Sequence, residues 1–159
     1  MNDIAVHIRW MIRRDMPEVL EIESKSFEHP WNEFAFIRVL RQRNCIGMIS
    51  EYEERVIAFM VYELKKDEIG LLNFAVHPDY RRRGVGRQMV QKIKYKLGSR
   101  RQKVTLETSE YSLGAQLFWR AVGFKATSIL KDFYDHEFQE DAIAFEYRIK
   151  SESLVEARG

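Results

Sequence analysis

The chain has 159 residues, of which 45% are hydrophobic and 31% are charged, and its formal net charge is +2. This is the composition of a globular domain rather than a disordered chain, and a domain of this length buries about 70% of its unfolded surface on folding. The sequence contains neither an apolar run of the roughly 18 residues that a membrane span requires nor the layout of a signal peptide, which predicts a cytoplasmic protein without membrane partners.

The first half of the chain predicts one strand, two helices and a hairpin. A strand over 6–12 precedes Asp15-Met16-Pro17-Glu18, where Asp15 can cap a helix and Pro17 fits its first turn. An apolar stripe, which includes Glu23, continues this helix until His29-Pro30-Trp31 interrupts it. The remaining elements of this half are a helix from Asn32 to about Arg43 and strands near 45–52 and 56–64, joined by a turn at Glu53-Glu54-Arg55.

The second half alternates strands and helices. Its elements are strands over 69–76, 103–108, 124–130 and 142–149 and helices over 85–97 and 112–122, the last one stopped by Gly123. The strand–helix–strand passage from Ile69 to Thr108 predicts a right-handed parallel crossover, whereas the hairpins predict antiparallel pairs. The sequence therefore predicts a single α/β domain over 1–150 with a mixed sheet, and a flexible C-terminal tail over 151–159.

Basic residues cluster in the middle of the chain. The segment between Tyr80 and Val104 holds ten of them and no acidic residue: Arg81, Arg82, Arg83, Arg87, Lys92, Lys94, Lys96, Arg100, Arg101 and Lys103. A field of one sign suits a polyanion such as a nucleotide-like cofactor, a nucleic acid or an acidic protein surface, and the plain alternative is a solvated helix face. Single Cys45 excludes an internal disulfide, and four scattered histidines predict no metal.

A glycine-containing loop at the start of this segment has the chemistry of a pyrophosphate cradle. Arg81-Arg82-Arg83-Gly84-Val85-Gly86 lies between a predicted strand and a predicted helix. Glycines permit close approach of a phosphate, and the helix N-terminus and the arginines attract it. The loop lacks the Lys-Ser/Thr of a Walker motif and the third glycine of a dinucleotide fingerprint. The alternative is a tight turn that is merely basic.

Three segments resemble the GNAT superfamily of N-acetyltransferases. Residues 76–86 resemble its motif A, Val104-Thr105-Leu106-Glu107 resembles the following strand, and 118–124 resemble the end of its motif B. Further segments are similar to the ribosomal-protein alanine N-acetyltransferase (RimI-like) group, namely Phe27-x-x-Pro30-Trp31, Leu72-Asn73-Phe74-Ala75-Val76, Leu106-Glu107 and Glu140-Asp141-Ala142-Ile143.

The resemblance implies a GNAT-like α/β fold, with a mixed, splayed sheet of six to seven strands flanked by about four helices. It implies acetyl-CoA as cosubstrate, no metal, and direct attack by a protein N-terminal α-amine, ribosomal protein-like, in a ternary complex. Nucleic acid is not an expected partner. The residues it assigns to the cofactor are Phe74, Ala75, Val76, Arg81, Arg82, Arg83, Gly84, Val85, Gly86, Arg87 and Ser112, the last in place of the family's Asn. On the acceptor side it assigns Trp31, Asn73, Phe133 and Tyr134.

The chemistry requires a base, because only a neutral amine attacks a thioester. An α-amine has a pKa near ~7.7–8 and loses its proton more readily than a lysine near ~10.4. The resemblance makes Glu107 the base, although a strand glutamate facing solvent is the plain alternative. The family's catalytic Tyr is replaced by Trp119, whose indole donates a hydrogen bond but no proton, and Tyr134 is the candidate substitute. Acetylation of a small amine or a lysine, or a non-catalytic CoA or nucleic-acid binding module, are the alternative functions.

Overall fold

The computed structural model describes residues 2–134 and 140–150. Within them, seven strands and four α-helices follow the predicted order β-α-α-β-β-β-α-β-α-β-β. The strands are β1 (His7–Trp10), β2 (Cys45–Tyr52), β3 (Arg55–Leu64), β4 (Ile69–Val76), β5 (Lys103–Ser109), β6 (Lys125–Tyr134) and β7 (Glu140–Arg148). The helices are α1 (Met16–Ser26), α2 (Glu33–Leu40), α3 (Val85–Lys94) and α4 (Leu113–Ala121). The predicted tail, 151–159, lies outside the described residues.

Hydrogen bonds join the strands into a mixed sheet with the order β1-β2-β3-β4-β5-β7-β6. The pairs β1–β2, β2–β3, β5–β7 and β6–β7 are antiparallel. Strands β4 and β5 pair in parallel at Ile69 with Val104 and at Gly70 with Thr105, and α3 lies between them in the chain. The structure thus confirms both the α/β class and the parallel crossover.

Two turns explain where elements begin and end. Glu53 and Glu54 between β2 and β3 have φ of 50° and 65°, as in the type I′ turn whose twist matches that of a hairpin. Gly123 has φ of 97° and stops α4, as predicted from its position. Helices α2 and α3 end at Leu40 and Lys94, three residues before the predicted ends, because their last turns tighten to i to i−3 hydrogen bonds.

The predicted helix start is correct in place but wrong in mechanism. Pro17 lies in the first turn of α1, yet the Asp15 side chain caps no N–H of that helix. Its carboxylate instead accepts the Ile12 N–H at 2.8 Å and two hydrogen bonds from the Arg9 guanidinium at 2.8 and 2.9 Å. A buried carboxylate is stabilised more by a bidentate guanidinium than by one helix amide, so Asp15 joins β1 to the start of α1.

The described chain forms two compact units. The first unit comprises the residues before 65 together with Leu71–Ile93, and its core lies between α1, α2 and strands β2 and β3. Phe36 is fully buried there, with ring contacts to Trp31 at 5.1 Å and to Phe59 at 5.5 Å. Half-buried Trp31 is therefore a packing residue of the first unit, and its predicted contact with substrate stays a prediction.

The second unit comprises Lys65–Gly70 and the described residues from Lys94 onward. Its core contains Val104 and Leu106 of β5, Phe145 of β7, and the side chains of Trp119 and Phe124. Within the described parts of both units, no helix has the length and apolar character needed to cross a membrane.

Candidate active site

The loop from Arg81 to Arg87 leads from β4 into α3 in the first unit. Arg82 and Gly84 have φ of 62° and 79°, and these two left-handed residues turn the chain into the helix. A Cβ at Gly84 would lie 2.6 Å from the Asp3 carboxyl carbon, so a side chain at this position would displace the Asp3 carboxylate. The first N–H groups of α3 have no partner within the helix and carry partial positive charge. The turn and the helix N-terminus favour a pyrophosphate site at this loop, which stays a prediction.

The arginines of this loop differ in their partners. Arg81 donates from Nε to the Val76 carbonyl at 3.0 Å and from Nη2 to Ser26 Oγ at 3.2 Å. Arg82 is exposed, and Arg87 is exposed with its Nη1 3.5 Å from Asp3 Oδ2. Arg82 and Arg87 are accordingly the side chains best placed to meet an anion, whereas Arg81 ties the loop to the end of β4.

The N-terminal segment lies against this loop, a contact that the sequence did not predict. The Ile4 N–H donates to the Arg83 carbonyl at 3.0 Å. The Gln88 side chain holds the same segment at both ends, because its Oε1 accepts the Val6 N–H at 3.2 Å and its Nε2 donates to the Ile4 carbonyl at 2.6 Å. Asp3 is thereby kept next to Gly84 and Arg87.

A buried carboxylate lies in α1, and the sequence alone assigns it no role. Glu23 is 2% exposed. Its Oε2 accepts the Trp31 N–H at 2.8 Å, and its Oε1 accepts a hydrogen bond from Asn73 Nδ2, also at 2.8 Å. Burial raises the pKa of Glu23 despite these two hydrogen bonds. The signal in the sequence is a glutamate within the apolar stripe of α1, where a charge has no solvent.

The backbone of β4 already has side-chain partners next to this carboxylate. Asn73 Oδ1 accepts the N–H of Phe74 at 2.9 Å, and the Val76 carbonyl accepts the Arg81 guanidinium. The resemblance assigns these peptide groups, with that of buried Ala75, to the pantetheine arm of the cofactor. The structure adds that Asn73 and Arg81 hydrogen-bond to two of them.

Glu107 lies in β5 of the second unit, opposite Ala144 of β7, with its side chain exposed. Partial desolvation raises the pKa of this carboxyl, while Lys65 lowers it and Glu68 raises it again. The combined effect is a raised pKa for Glu107. A carboxylate with a raised pKa is a stronger base than an ordinary surface glutamate, which is the property that proton removal from an amine requires.

Tyr134 ends β6 in the same unit and pairs with Glu140 of β7. Burial, together with the negative charges of Glu140 and Glu107, raises the pKa of its phenol to about 12. The phenol is consequently protonated at neutral pH and can donate a hydrogen bond. The Phe133 ring meets the Tyr134 ring edge-on at 5.1 Å and is 46% exposed, so the pair presents an aromatic surface at the end of the strand.

Trp119 and Ser112 belong to the α4 region of this unit. Trp119 is 5% exposed, with ring contacts to Phe118 at 4.9 Å and to Phe124 at 5.1 Å. This environment favours a packing role, and the catalytic role assigned to Trp119 stays a prediction. Ser112 precedes α4, is half-buried and donates its N–H to the Ser109 carbonyl at 3.1 Å; its contact with the cofactor also stays a prediction.

Residues 16–124 match the acetyltransferase (GNAT) family, and this match covers more than half of the chain. The chain therefore belongs to the acetyltransferase (GNAT) family. It is an N-acetyltransferase whose cosubstrate is acetyl-CoA. Among the described residues, no group of three or more His, Cys, Asp or Glu side chains is arranged to hold a metal ion.

Known proteins of this fold cover nearly the whole chain. The [ribosomal protein bS18]-alanine N-acetyltransferase of Salmonella typhimurium is 28% identical over 145 residues, which is 90% of this chain and 95% of that protein. The crystal structure of the ribosomal-protein-S18-alanine N-acetyltransferase from Escherichia coli aligns with a TM-score of 0.78 at 24% identity, over 92% and 95% of the two chains. Arabidopsis thaliana NAA60, solved with acetyl-CoA, aligns with a TM-score of 0.75 at 17% identity, over 91% and 100%.

Proposed function

We propose that this enzyme transfers the acetyl group of acetyl-CoA to the α-amine of a protein N-terminus, by direct attack in a ternary complex. The observation that carries the proposal is Glu107, a β5 carboxylate whose pKa is raised and whose charge is felt by the Tyr134 phenol. Support for the acceptor comes from the Salmonella typhimurium relative, whose name gives an alanine of ribosomal protein bS18 as its substrate.

The proposal assigns the cofactor's pyrophosphate to the loop before α3. The left-handed residues Arg82 and Gly84 turn the chain into α3, and the exposed Arg82 and Arg87 side chains provide positive charge. Acetyl-CoA supplies an activated acyl group with a thiol leaving group whose pKa is near ~8.5. In this proposal the peptide groups of Phe74, Ala75 and Val76 hold the pantetheine arm and its thioester, and the Phe74 N–H donates to the thioester oxygen.

Proton transfer falls to two residues of the second unit. Glu107 takes a proton from the acceptor ammonium, directly or through a water, because a raised carboxyl pKa narrows the gap to an α-amine near ~7.7–8. Tyr134 stays protonated at neutral pH and donates to the departing thiolate. Trp119, whose indole is buried among aromatic rings, adds packing rather than a proton.

Recognition of the acceptor peptide is assigned to aromatic and amide side chains. Exposed Phe133 and half-buried Tyr134 form a ring pair at the end of β6, to which rings and backbone of an extended peptide can bind. The roles of Trp31 and Asn73 in acceptor binding stay predictions from the sequence. A protein N-terminus of the ribosomal class is the acceptor that we propose, and it would be met in the cytoplasm.

Release of CoA thiol, measured with a panel of acceptors, tests this proposal. The panel holds a peptide with a free N-terminal alanine, the same peptide blocked at its α-amine, a blocked peptide that contains lysine, and a polyamine. We expect release only with the free α-amine, and mass spectrometry should locate the acetyl group there. Release with the blocked lysine peptide or the polyamine, and none with the free α-amine, would instead establish a side-chain or small-amine acetyltransferase.

A further inference from the structure

Three groups of the first unit form a chain of hydrogen bonds that ends at the peptide N–H of Phe74. The carboxylate of Glu23 accepts from Asn73 Nδ2 at 2.8 Å, and Asn73 Oδ1 accepts the Phe74 N–H at 2.9 Å. The other oxygen of Glu23 accepts the Trp31 N–H at 2.8 Å. One buried carboxylate thus connects α1, the segment before α2 and strand β4.

The carboxylate determines how the Asn73 amide is oriented. Glu23 accepts hydrogen bonds and donates none when ionised, so it selects the NH₂ end of the amide. The carbonyl end of Asn73 must then face the Phe74 N–H. If the amide were flipped, an oxygen would face the carboxylate and a donor would face the Phe74 donor, which leaves both contacts repulsive.

We propose that Glu23 is a positioning residue for acetyl transfer and that it acts through Asn73, whose carbonyl oxygen occupies the Phe74 N–H until the thioester oxygen replaces it. The proposal rests on the assignment of the β4 peptide groups to acetyl-CoA under the proposed function. Exchange of one carbonyl oxygen for another keeps this N–H paired at every stage. The chain therefore avoids the cost of an unpaired donor in a half-buried strand.

The Glu23→Gln variant tests the order of donors and acceptors in this chain of hydrogen bonds. A glutamine has one accepting oxygen where the carboxylate has two, so its NH₂ must face either the Trp31 N–H or the Asn73 NH₂. We expect amide hydrogen exchange at Phe74 or at Trp31, measured by NMR in the free protein, to accelerate about five- to tenfold, the factor that one ordinary hydrogen bond implies. The matched control is Glu21→Gln, on the exposed side of the same helix, which should leave exchange at both amides unchanged.

Exchanging the donor and the acceptor between positions 23 and 73 should restore the chain of hydrogen bonds. In the double variant Glu23→Gln with Asn73→Asp, the introduced amide accepts from Trp31 and donates to the introduced carboxylate, which still accepts the Phe74 N–H. We expect exchange at both amides to return to within about twofold of the unaltered protein, a non-additivity typical of residues in one network. Unaltered exchange in Glu23→Gln, or no recovery in the double variant, would overturn the positioning role.

A second arm tests the replacement by the thioester and does not depend on Glu23 variants that fold. In Asn73→Ala, exchange at Phe74 should be fast in the free protein and should slow when acetyl-CoA is added. CoA itself lacks the carbonyl and should slow it much less. Equal protection by both would refute the replacement. Hydrogen exchange in the free protein needs no turnover. A failure of the thiol-release assay would therefore contradict only the proposed function and would leave the exchange result for Glu23→Gln valid.

Discussion

Substitution of Gly84 by alanine perturbs the loop at its least tolerant position. With φ at 79°, a residue that carries a Cβ loses about 1–2 kcal/mol relative to glycine. The new Cβ would lie 2.6 Å from the Cγ and Oδ2 atoms of Asp3. The Asp3 side chain is 62% exposed and can rotate away, so we assign this collision only about 0.5–1 kcal/mol. Alanine also restricts the unfolded chain more than glycine does, which offsets about 0.4–1 kcal/mol of the lost stability.

The expected net loss for Gly84→Ala is therefore about 1–2 kcal/mol, or a fall in Tm of about 2–8 °C for a chain of this size. Differential scanning calorimetry measures it, with acetyl-CoA affinity by isothermal titration as the functional readout; the affinity should fall because the loop is displaced. In an Asp3→Ala background the loss should shrink to about 1 kcal/mol, since the two closest atoms are gone.

The matched control is Gly114→Ala in the first turn of α4, where an added Cβ meets nothing within 4 Å. That change should be neutral or should stabilise by up to about 1 kcal/mol. If Gly84→Ala proved as harmless as Gly114→Ala in both Tm and affinity, the reasoning from backbone conformation and close approach would be refuted.

Three further predictions concern single side chains. Glu107→Gln should lower kcat about 10²-fold or more while sparing acetyl-CoA affinity. In the unaltered enzyme kcat/KM should fall as the pH drops through the raised pKa of Glu107, and the variant should lose this fall. An unchanged pH profile would exclude Glu107 as the base. Asp15→Ala should cost about 1.5–3 kcal/mol in urea unfolding at pH 7, because it leaves the Arg9 guanidinium without its bidentate partner. Burial alone would raise the pKa of Asp15, but Arg9 and the Ile12 N–H hold this pKa below its usual value. The stability that Asp15 contributes should therefore be present above pH ~4 and be lost as the pH falls further. A destabilisation by Asp15→Ala that does not depend on pH would contradict this prediction. Trp119→Tyr should lower Tm with little change in kcat, whereas a collapse of kcat in a stable variant would show a chemical role for the indole.

Local signals were sufficient wherever the determinant lies within a few residues. The apolar run of β4 and the arginine-glycine loop after it could be assigned from the sequence, as could Gly123 at the end of α4. The prediction from neighbouring residues was wrong at Asp15, for which it gave a helix N–H as the partner. The partner is instead the guanidinium of Arg9, at 2.8 Å, and Arg9 lies in β1, which pairs with β2.

By itself, the sequence determined the order of strands and helices and the parallel crossover, and it predicts phosphate-binding chemistry for the Arg81–Arg87 loop. These follow from periodicity, from turn residues and from the charge of adjacent side chains. Tertiary structure alone decided that Asp3 lies beside Gly84, that Trp119 is enclosed by aromatic rings, and that Glu23 meets Asn73, fifty residues away. The physical reason is that a buried polar group requires a partner, but nothing in its local sequence specifies which distant donor folding will bring to it.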